Sequence, residues 1–506
     1  MTFFSRPKRE IYRRKILGFW TDFSHNKIGF AGIILISIFV VMALTAPILT
    51  PYTPATQLTR PEKVAMPYAC PAWFAYFPGY NDLNPTIKIN PNVTQASIIS
   101  QEGPLQINLA NNNINFTPTE AKSQKATITL DLGNFSYTYA PPLAFTIYTK
   151  YKMNFNRTKL AIYFIIKNYT AMPAWESNFK YPDKAEILIA TFTPPPVPVG
   201  GIIQNTTSGN VALDSTSSKV ITSLFKSLTN LTELRPAPLV FSEKSTYGIQ
   251  LRIEFSNIYP YEGAYAEFYL WETRLTIWGR LHGILGTDFS GSDAWTELVY
   301  GSRISLMVGI LAAALATFLG ITYGVISGYV GGFVDETLMR IVDVLLCIPV
   351  LPILLVLIRY FRPNVYWVVV LIAIFGWQGL SRVIRSRVLS LKEMAFIESA
   401  RAAGASDTYI MFRHLIPNVL PIAMAAMVLS VPAAIITEAS LSFLGFGDPN
   451  AATWGRMLYN AYQLGGINYW WIWVPPGISI VLICVGFVFV GHAVDEIVNP
   501  RLRRRR

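Results

Sequence analysis

The sequence predicts an α-helical polytopic membrane protein of six transmembrane helices, with an all-β, β-sandwich-like domain inserted on the outer side. Three observations carry this. The 506-residue chain is 52% hydrophobic and only 14% charged, whereas soluble domains carry about a quarter charged residues. Six runs approach the roughly 20 apolar residues that a helix needs to cross a bilayer. Between the first and the second of these runs, residues about 79–280 are instead rich in β-branched and aromatic side chains.

In chain order, residues 1–27 form a basic segment containing "RPKREIYRRK". The first span covers 28–49 ("IGFAGIILISIFVVMALTAPIL"). It is expected to be retained and not cleaved as a signal peptide, because its apolar run is too long and the basic region before it too extended. The remaining spans are 303–327, 338–358, 364–384, 417–437 and 473–493. Lys and Arg concentrate on the cytoplasmic side of membrane proteins, which places the N-terminus inside. Six crossings return the tail 496–506, with its five Arg, to the same side. That parity puts 385–416 in the cytoplasm and 50–300 outside.

The outer segment holds all seven N-x-[ST] sequons, at Asn92, Asn115, Asn134, Asn156, Asn168, Asn205 and Asn230. Such sites accept glycans on extracytoplasmic surfaces; the alternative is an Asn/Thr-rich β surface. Within it, "KATITLDLGNFSYTYA", "LAFTIYTKYKMNF", "KLAIYFIIKNYT", "AEILIATFT", "YGIQLRIEFSNIY" and "YAEFYLWETRLTIWG" read as strands separated by turn signals. "TPPPVPVGG" is an extended spacer, and "SSKVITSLFKSL" after it reads as a short helix. Asp131, Glu186 and Glu254 are expected on a solvated face.

Several functions are excluded or disfavoured. No Gly is followed by Lys, so the GxxxxGK[ST] phosphate loop is missing. His25, His282, His414 and His492 lack metal-ligand spacing, so no metal is expected. Cys70, Cys347 and Cys484 give no disulfide framework. The net charge of +12 is read as Lys and Arg collecting in cytoplasmic segments such as the two termini, so no nucleic-acid partner is expected.

One polar stretch interrupts the apolar half. From 394 to 417, good helix formers run to Ala403, and Gly404 offers the left-handed residue that closes a helix. Ser406 or Asp407 can cap a second helix, which runs to about Leu415. Pro417 suits the first turn of the next span. The spacing predicts two short helices at an angle, held between two spans. Ala400, Ala402 and Ala403 leave room for close contact, and Glu398 and Arg401 offer charge. Inside the membrane, Asp343 and Glu438 are candidates for a translocation pathway, with Arg340 one turn from Asp343. The alternative is a helix-end Arg340–Asp343 pair, with Glu438 at the interface. Pro349 and Pro352 are placed to kink the third span.

The stretch "ESARAAGASDTYIMFRHLIP" resembles the EAA loop of ABC importer permeases, with Glu398, Ser399 and Ala400 as its Glu-Ala-Ala, then Gly404 and Pro417. Ser399 replaces the usual first Ala. "APILTPYTP", "HGILGTDFSGSDAWTELVYGSRISL" (Ser292 where Arg is usual), "GGFVDETLMRIVDVLLCIP", "EASLSFLGFG", "TWGRML" and "VNPRLR" are similar to the dipeptide/oligopeptide permease type, in its DppC/OppC-like branch. The likeness covers roughly 10–78 and 281–503 and leaves the insert without a family counterpart.

The resemblance implies a non-catalytic permease subunit of an ATP-driven importer in a prokaryotic plasma membrane, with a lean to archaeal. Its coupling residues would be Glu398, Ser399, Ala400, Arg401, Ala403, Gly404, Ala405, Ser406, Asp407, His414 and Pro417. Implied partners are a second homologous permease, two ATP-binding subunits that hold ATP and Mg, an extracytoplasmic solute-binding protein and membrane lipid. The insert is expected to dock or shield the binding protein. Peptides are the expected substrate and oligosaccharides the alternative. A membrane-embedded receptor or enzyme using the β domain is a rival reading, but no catalytic set supports it. A passive channel would not need the hairpin.

Overall fold

The computed structural model describes residues 21, 23–54, 62–118, 124–169, 184–192, 205–224, 236–257 and 264–498. The basic start of the chain, the Pro-rich spacer, Asn230 and the arginine tail lie outside the described residues. The chain divides into two compact units, Met1–Glu62 with Asp288–Arg506, and Lys63–Thr287. The second is wider at both ends than the 79–280 of the β patterning.

The first unit is helical. α1 (Lys27–Leu44) is capped by Asn26, whose side-chain oxygen accepts from the N–H groups of Ile28 and Gly29 at 3.1 and 3.0 Å. Two of the four donors left free at a helix start are thereby satisfied. α2 (Ala294–Val330) has 37 residues, about 55 Å at 1.5 Å per residue. Asp293 caps it by accepting from Thr296 N at 2.8 Å. There follow α3 (Gly332–Cys347), α4 (Val350–Phe361), α5 (Val365–Ile374), α6 (Gln378–Lys392), α7 (Ala395–Ala402), α8 (Asp407–Ile410), α9 (Ile416–Phe443), α10 (Trp454–Gln463) and α11 (Trp470–Val498).

α1, α2, the run Asp407–Phe443 and α11 are each long and apolar enough to cross a membrane. α3 with α4, and α5 with α6, pass that test only as pairs bent by 89° and 43°. The described chain thus offers four single spans, or up to six if each bent pair counts as one. The runs expected as spans at 338–358 and 364–384 are each bent: the first breaks at Pro349, where the sequence places a kink, and the second between Ile374 and Gln378. In the first, Ile348 is extended ahead of Pro349; proline disfavours the helical region in the residue before it and has no N–H to continue the ladder.

α2 and α6 approach closely through a stripe of small residues, Gly320, Gly324 and Gly328. A Cβ at Gly324 would stand 2.6 Å from the Ser381 carbonyl oxygen, and one at Gly328 would stand 2.9 Å from that of Arg385. Small residues are what allow helix backbones to meet in lipid, where burying apolar surface gains nothing.

The second unit holds two antiparallel sheets. One has the order β3-β4-β11-β6-β9, with β1 also on β11; the other has the order β2-β5-β10-β7-β8. The strands are β1 (Ile87–Ile89), β2 (Ser97–Glu102), β3 (Leu105–Asn108), β4 (Asn113–Phe116), β5 (Lys125–Tyr137), β6 (Phe145–Asn156), β7 (Thr158–Asn168), β8 (Lys184–Phe192), β9 (Asn205–Asp214), β10 (Ser245–Asn257) and β11 (Tyr265–Ile277). A short helix covers Ser218–Leu224. Alternate residues of both sheets fill one core containing Ile114, Phe116, Phe145 and Phe268 from the first and Ile128, Phe164, Ile253 and Phe255 from the second. The rings of Phe116 and Phe255 stack at 5.5 Å between the sheets.

One acid contradicts its expected place. Glu186 is not on a solvated face: it is 3% exposed, and its two oxygens accept from Arg252 Nη1 and Nη2, both at 2.6 Å. Arg252 reaches it across Tyr163, 4.7 Å from the ring centre, and also contacts Glu254 at 3.0 Å. The pairing register puts these side chains on adjacent strands β10, β7 and β8, which a single strand's pattern does not reveal.

Candidate functional site

The polar stretch folds as a capped hairpin. α7 ends at Ala402 with Ala403 as its cap, and Gly404 takes a left-handed φ of +83°, which glycine adopts without a Cβ penalty. Ala405 N–H donates to Ala400 O at 3.1 Å and Gly404 N–H to Arg401 O at 3.0 Å. This is the paired closure that satisfies carbonyls left free at a helix end. Ser406 is the cap of the second limb, accepting from Tyr409 N at 3.3 Å.

The second limb departs from expectation: it is not a separate helix ending near Leu415. α8 runs into a π-helical turn, Met411–Leu415, and on into α9. Ile416 N–H reaches back to Met411 O, just before Pro417, which has no N–H to donate. The wider turn carries the helix past that gap.

The hairpin has two faces. Ile397, Ile410 and Leu415 are buried with Val325 and Tyr329 of α2 and with Ile384, Val388 and Leu391 of α6. Facing out are Glu398, Ser399, Arg401, Ala403, Gly404, Ser406 and Asp407, with Phe396, Tyr409 and Phe412, the last 71% exposed. Ala400 and Ala405 are half-buried against the inner face. His414 is half-buried, with ring centres 6.1 Å from Phe396 and 5.8 Å from Tyr409.

Two predicted residues meet at a third that sequence reasoning missed. The Tyr329 hydroxyl donates to Asp407 Oδ1 at 2.6 Å, and the Arg401 guanidinium lies 5.9 Å from the Tyr329 ring centre. The Tyr329 oxygen beside it holds the Arg401 pKa above its usual value. Asp335 on α3 is likewise gripped, accepting from Arg385 Nε at 2.6 Å and Nη2 at 2.5 Å and from the Ser327 hydroxyl. The spaced glycines 320, 324 and 328, with Ser327 and Tyr329 on either side of the last and Asp335 seven residues on, were the available signal.

The intramembrane candidates are rearranged. Arg340 does not pair with Asp343: it lies 3.6 Å from Glu336 Oε1, one turn back, while Asp343 pairs with Arg382 of α6. Residues i and i+3 on one helix can meet, but the α3–α6 approach offers Asp343 a cross-helix partner. Glu438 is not at an interface: it is 3% exposed and accepts from Ser442 Oγ at 2.7 Å. A cavity of about 170 Å³ lies among α2, α4, α5 and α9, lined by Ala312, Ala316, Leu354, Phe375, Ser430 and Thr437, apart from both acids.

Of the sequon residues, Asn92 and Asn134 are exposed, and Asn115 and Asn168 half-buried. Asn205 opens β9. Asn156 is withdrawn as a glycan site: at 7% exposure, the folded sheet leaves its amide no room for a sugar.

Helices long and apolar enough to cross a membrane, packed together with a capped polar hairpin between two of them, define a helical membrane protein. Residues 320–504 match the family described as "Binding-protein-dependent transport system inner membrane component". Residues 17–67 match "N-terminal TM domain of oligopeptide transport permease C". The chain is 41% identical over 220 residues to the oligopeptide transport system permease protein OppC of Salmonella typhimurium, covering 43% of this chain and 72% of that one. It is 35% identical over 220 residues to the dipeptide transport system permease protein DppC of Bacillus subtilis, covering 43% and 69%. A chain of the inward-facing MetNI methionine ABC transporter aligns at a TM-score of 0.33 and 21% identity, covering 41% of this chain and 97% of that one, too slight a likeness to carry weight. The chain belongs to the dipeptide/oligopeptide permease family of ABC transporters, and it is a multi-pass membrane protein.

Proposed function

We propose that this chain is the permease subunit of an ATP-driven importer of oligopeptides or dipeptides and forms half of the translocation pathway beside a second, homologous permease. Two separate ATP-binding subunits hold ATP and Mg, and an extracytoplasmic solute-binding protein delivers the peptide. Six crossings leave both termini in the cytoplasm of a prokaryotic, by lean archaeal, plasma membrane, with a β-sandwich outside. Residues 394–417 are the coupling element, and Asp343 and Glu438 are pathway candidates.

The observation that carries this reading is the hairpin. Its inner face is fixed to α2 and α6, while an outer face of Phe396, Tyr409 and Phe412 rimmed by Glu398 and Arg401 has the aromatic-plus-charge make-up of a docking surface. The peptide assignment rests on the relatives, which are peptide permeases by name.

The test is uptake against ATP hydrolysis in the reconstituted importer. Gly404→Pro cannot adopt the φ of +83°, because proline is held near −65°. Glu398→Lys reverses a charge on the outer face. Each is expected to lower uptake per ATP by about tenfold or more. Normal uptake together with normal co-purification of the ATP-binding subunits would sink the coupling assignment.

A further inference from the structure

α2 is covalently remote from the hairpin, yet its last turn holds both limbs of it. Tyr329 stands one residue before the end of α2, with its ring in the core shared by Ile384, Val388, Ile397 and Ile410. Its hydroxyl bonds Asp407, the first residue of the second limb, at 2.6 Å. Arg401, in the first limb, lies over the ring of the same side chain. One tyrosine thus bridges the Gly404 turn from beneath.

The covalent joints of the hairpin are both irregular. On one side Glu393 and Met394 leave the helical ladder between α6 and α7. On the other stands the π-helical turn Met411–Leu415, a geometry that occurs mostly as single turns within α-helices, often at functional sites. A push on the hairpin that had only these joints would be absorbed in part by bending them. α2, by contrast, is unbroken over its 37 residues from Ala294 to Val330. Its inner end is also fixed to α3, through Ser327 and Asp335, and that carboxylate is held in turn by Arg385 of α6.

We infer that Tyr329 is the positioning residue of the coupling hairpin: its hydroxyl bond to Asp407 sets the angle of the hairpin on α2 and makes α2 the helix that receives the stroke. This rests on the coupling role proposed above and adds which helix takes the force and through which atom. Tyr329 is not part of the outer face, so docking and transmission are separable at this residue.

The experiment uses the complete importer, reconstituted with its ATP-binding subunits, and measures three quantities: their co-purification with this chain, ATP hydrolysis, and uptake per ATP. Tyr329→Phe removes one oxygen and keeps the buried ring. The expected result is unchanged co-purification with uptake per ATP lowered by about fivefold or more. Asp407→Ala should lower uptake per ATP to the same extent, and the double variant should lower it no further than either single, as for two residues acting through one contact. Asp407→Asn, which keeps an oxygen to accept from the hydroxyl, should restore most of the stoichiometry.

If uptake per ATP is unchanged in Tyr329→Phe, the inference fails while the coupling role stands. Loss of the ATP-binding subunits from Tyr329→Phe also overturns it, because the residue then serves docking. Additive single effects assign the two residues to separate roles and overturn it as well. If the unaltered chain does not retain ATP-binding subunits at all, it is the underlying function that fails.

Discussion

The two units bury opposite kinds of residue. The β unit encloses Phe116, Phe145, Phe164, Phe255 and Phe268 almost completely, between faces that alternate with half-exposed polar side chains along β6 and β11. In the membrane unit α2 and α6 meet closely at Gly320, Gly324 and Gly328, and large apolar side chains point outward along α1, including Ile34, Ile38, Val41 and Leu44. Water drives apolar groups together in the first case. Lipid removes that drive, leaving close backbone approach and interhelical polar bonds to hold the second. The same residue type therefore has a different meaning in the two halves of one chain.

Substitutions can break this contrast. The largest effect is expected for Phe268→Ala, a fully buried ring in β11, at about 3–5 kcal/mol. Hydrogen exchange should show β11 opening while the α2 amides keep their protection; equal loss in both would mean that the units do not stabilise separately. Next come matched changes at two exposed isoleucines, Ile38 of α1 at 56% and Ile99 of β2 at 50% exposure. Ile38→Lys should cost about 3 kcal/mol in a membrane-insertion assay, whereas Ile99→Lys should change stability by only about 0.5 kcal/mol. Similar costs at both positions would erase the distinction. The smallest effect within the membrane unit is Gly324→Ala, whose Cβ meets a backbone carbonyl at 2.6 Å. Overpacking of this kind costs about 1–3 kcal/mol, read as a lower melting temperature of the solubilised protein; an unchanged value would mean that α2 and α6 have slack.

Legibility followed how local each signal is. Six strands were readable from their own alternation, and β5, β6, β7, β8, β10 and β11 fall where those runs predict. β1 to β4 and β9 were missed: "SIISQE", "NINF" and "NTTSGNVALD" are short or polar, and pairing with a longer neighbour makes them strands. The hairpin's Gly404 closure and Ser406 cap were readable because capping is settled within a few residues. Its continuity with α9 was not, because Pro417 reads equally as a first-turn proline or as a residue carried past by a π turn.

By itself the sequence determined what composition and short-range chemistry can encode: a membrane chain with a β-rich insert, and a glycine-broken polar hairpin between two apolar runs. The family likeness of that hairpin is also written in adjacent residues. Tertiary structure alone decided which charges find each other. Arg252 with Glu186, Arg382 with Asp343, Arg385 with Asp335 and Tyr329 with Asp407 are separated by 66, 39, 50 and 78 positions. It also decided how far two apolar runs are bent, by 89° at the prolines that already mark a kink in 338–358 and by 43° in 364–384. Hydropathy sums over a window and is blind to direction, and a side chain's partner across helices or strands is fixed by packing, which no local window contains.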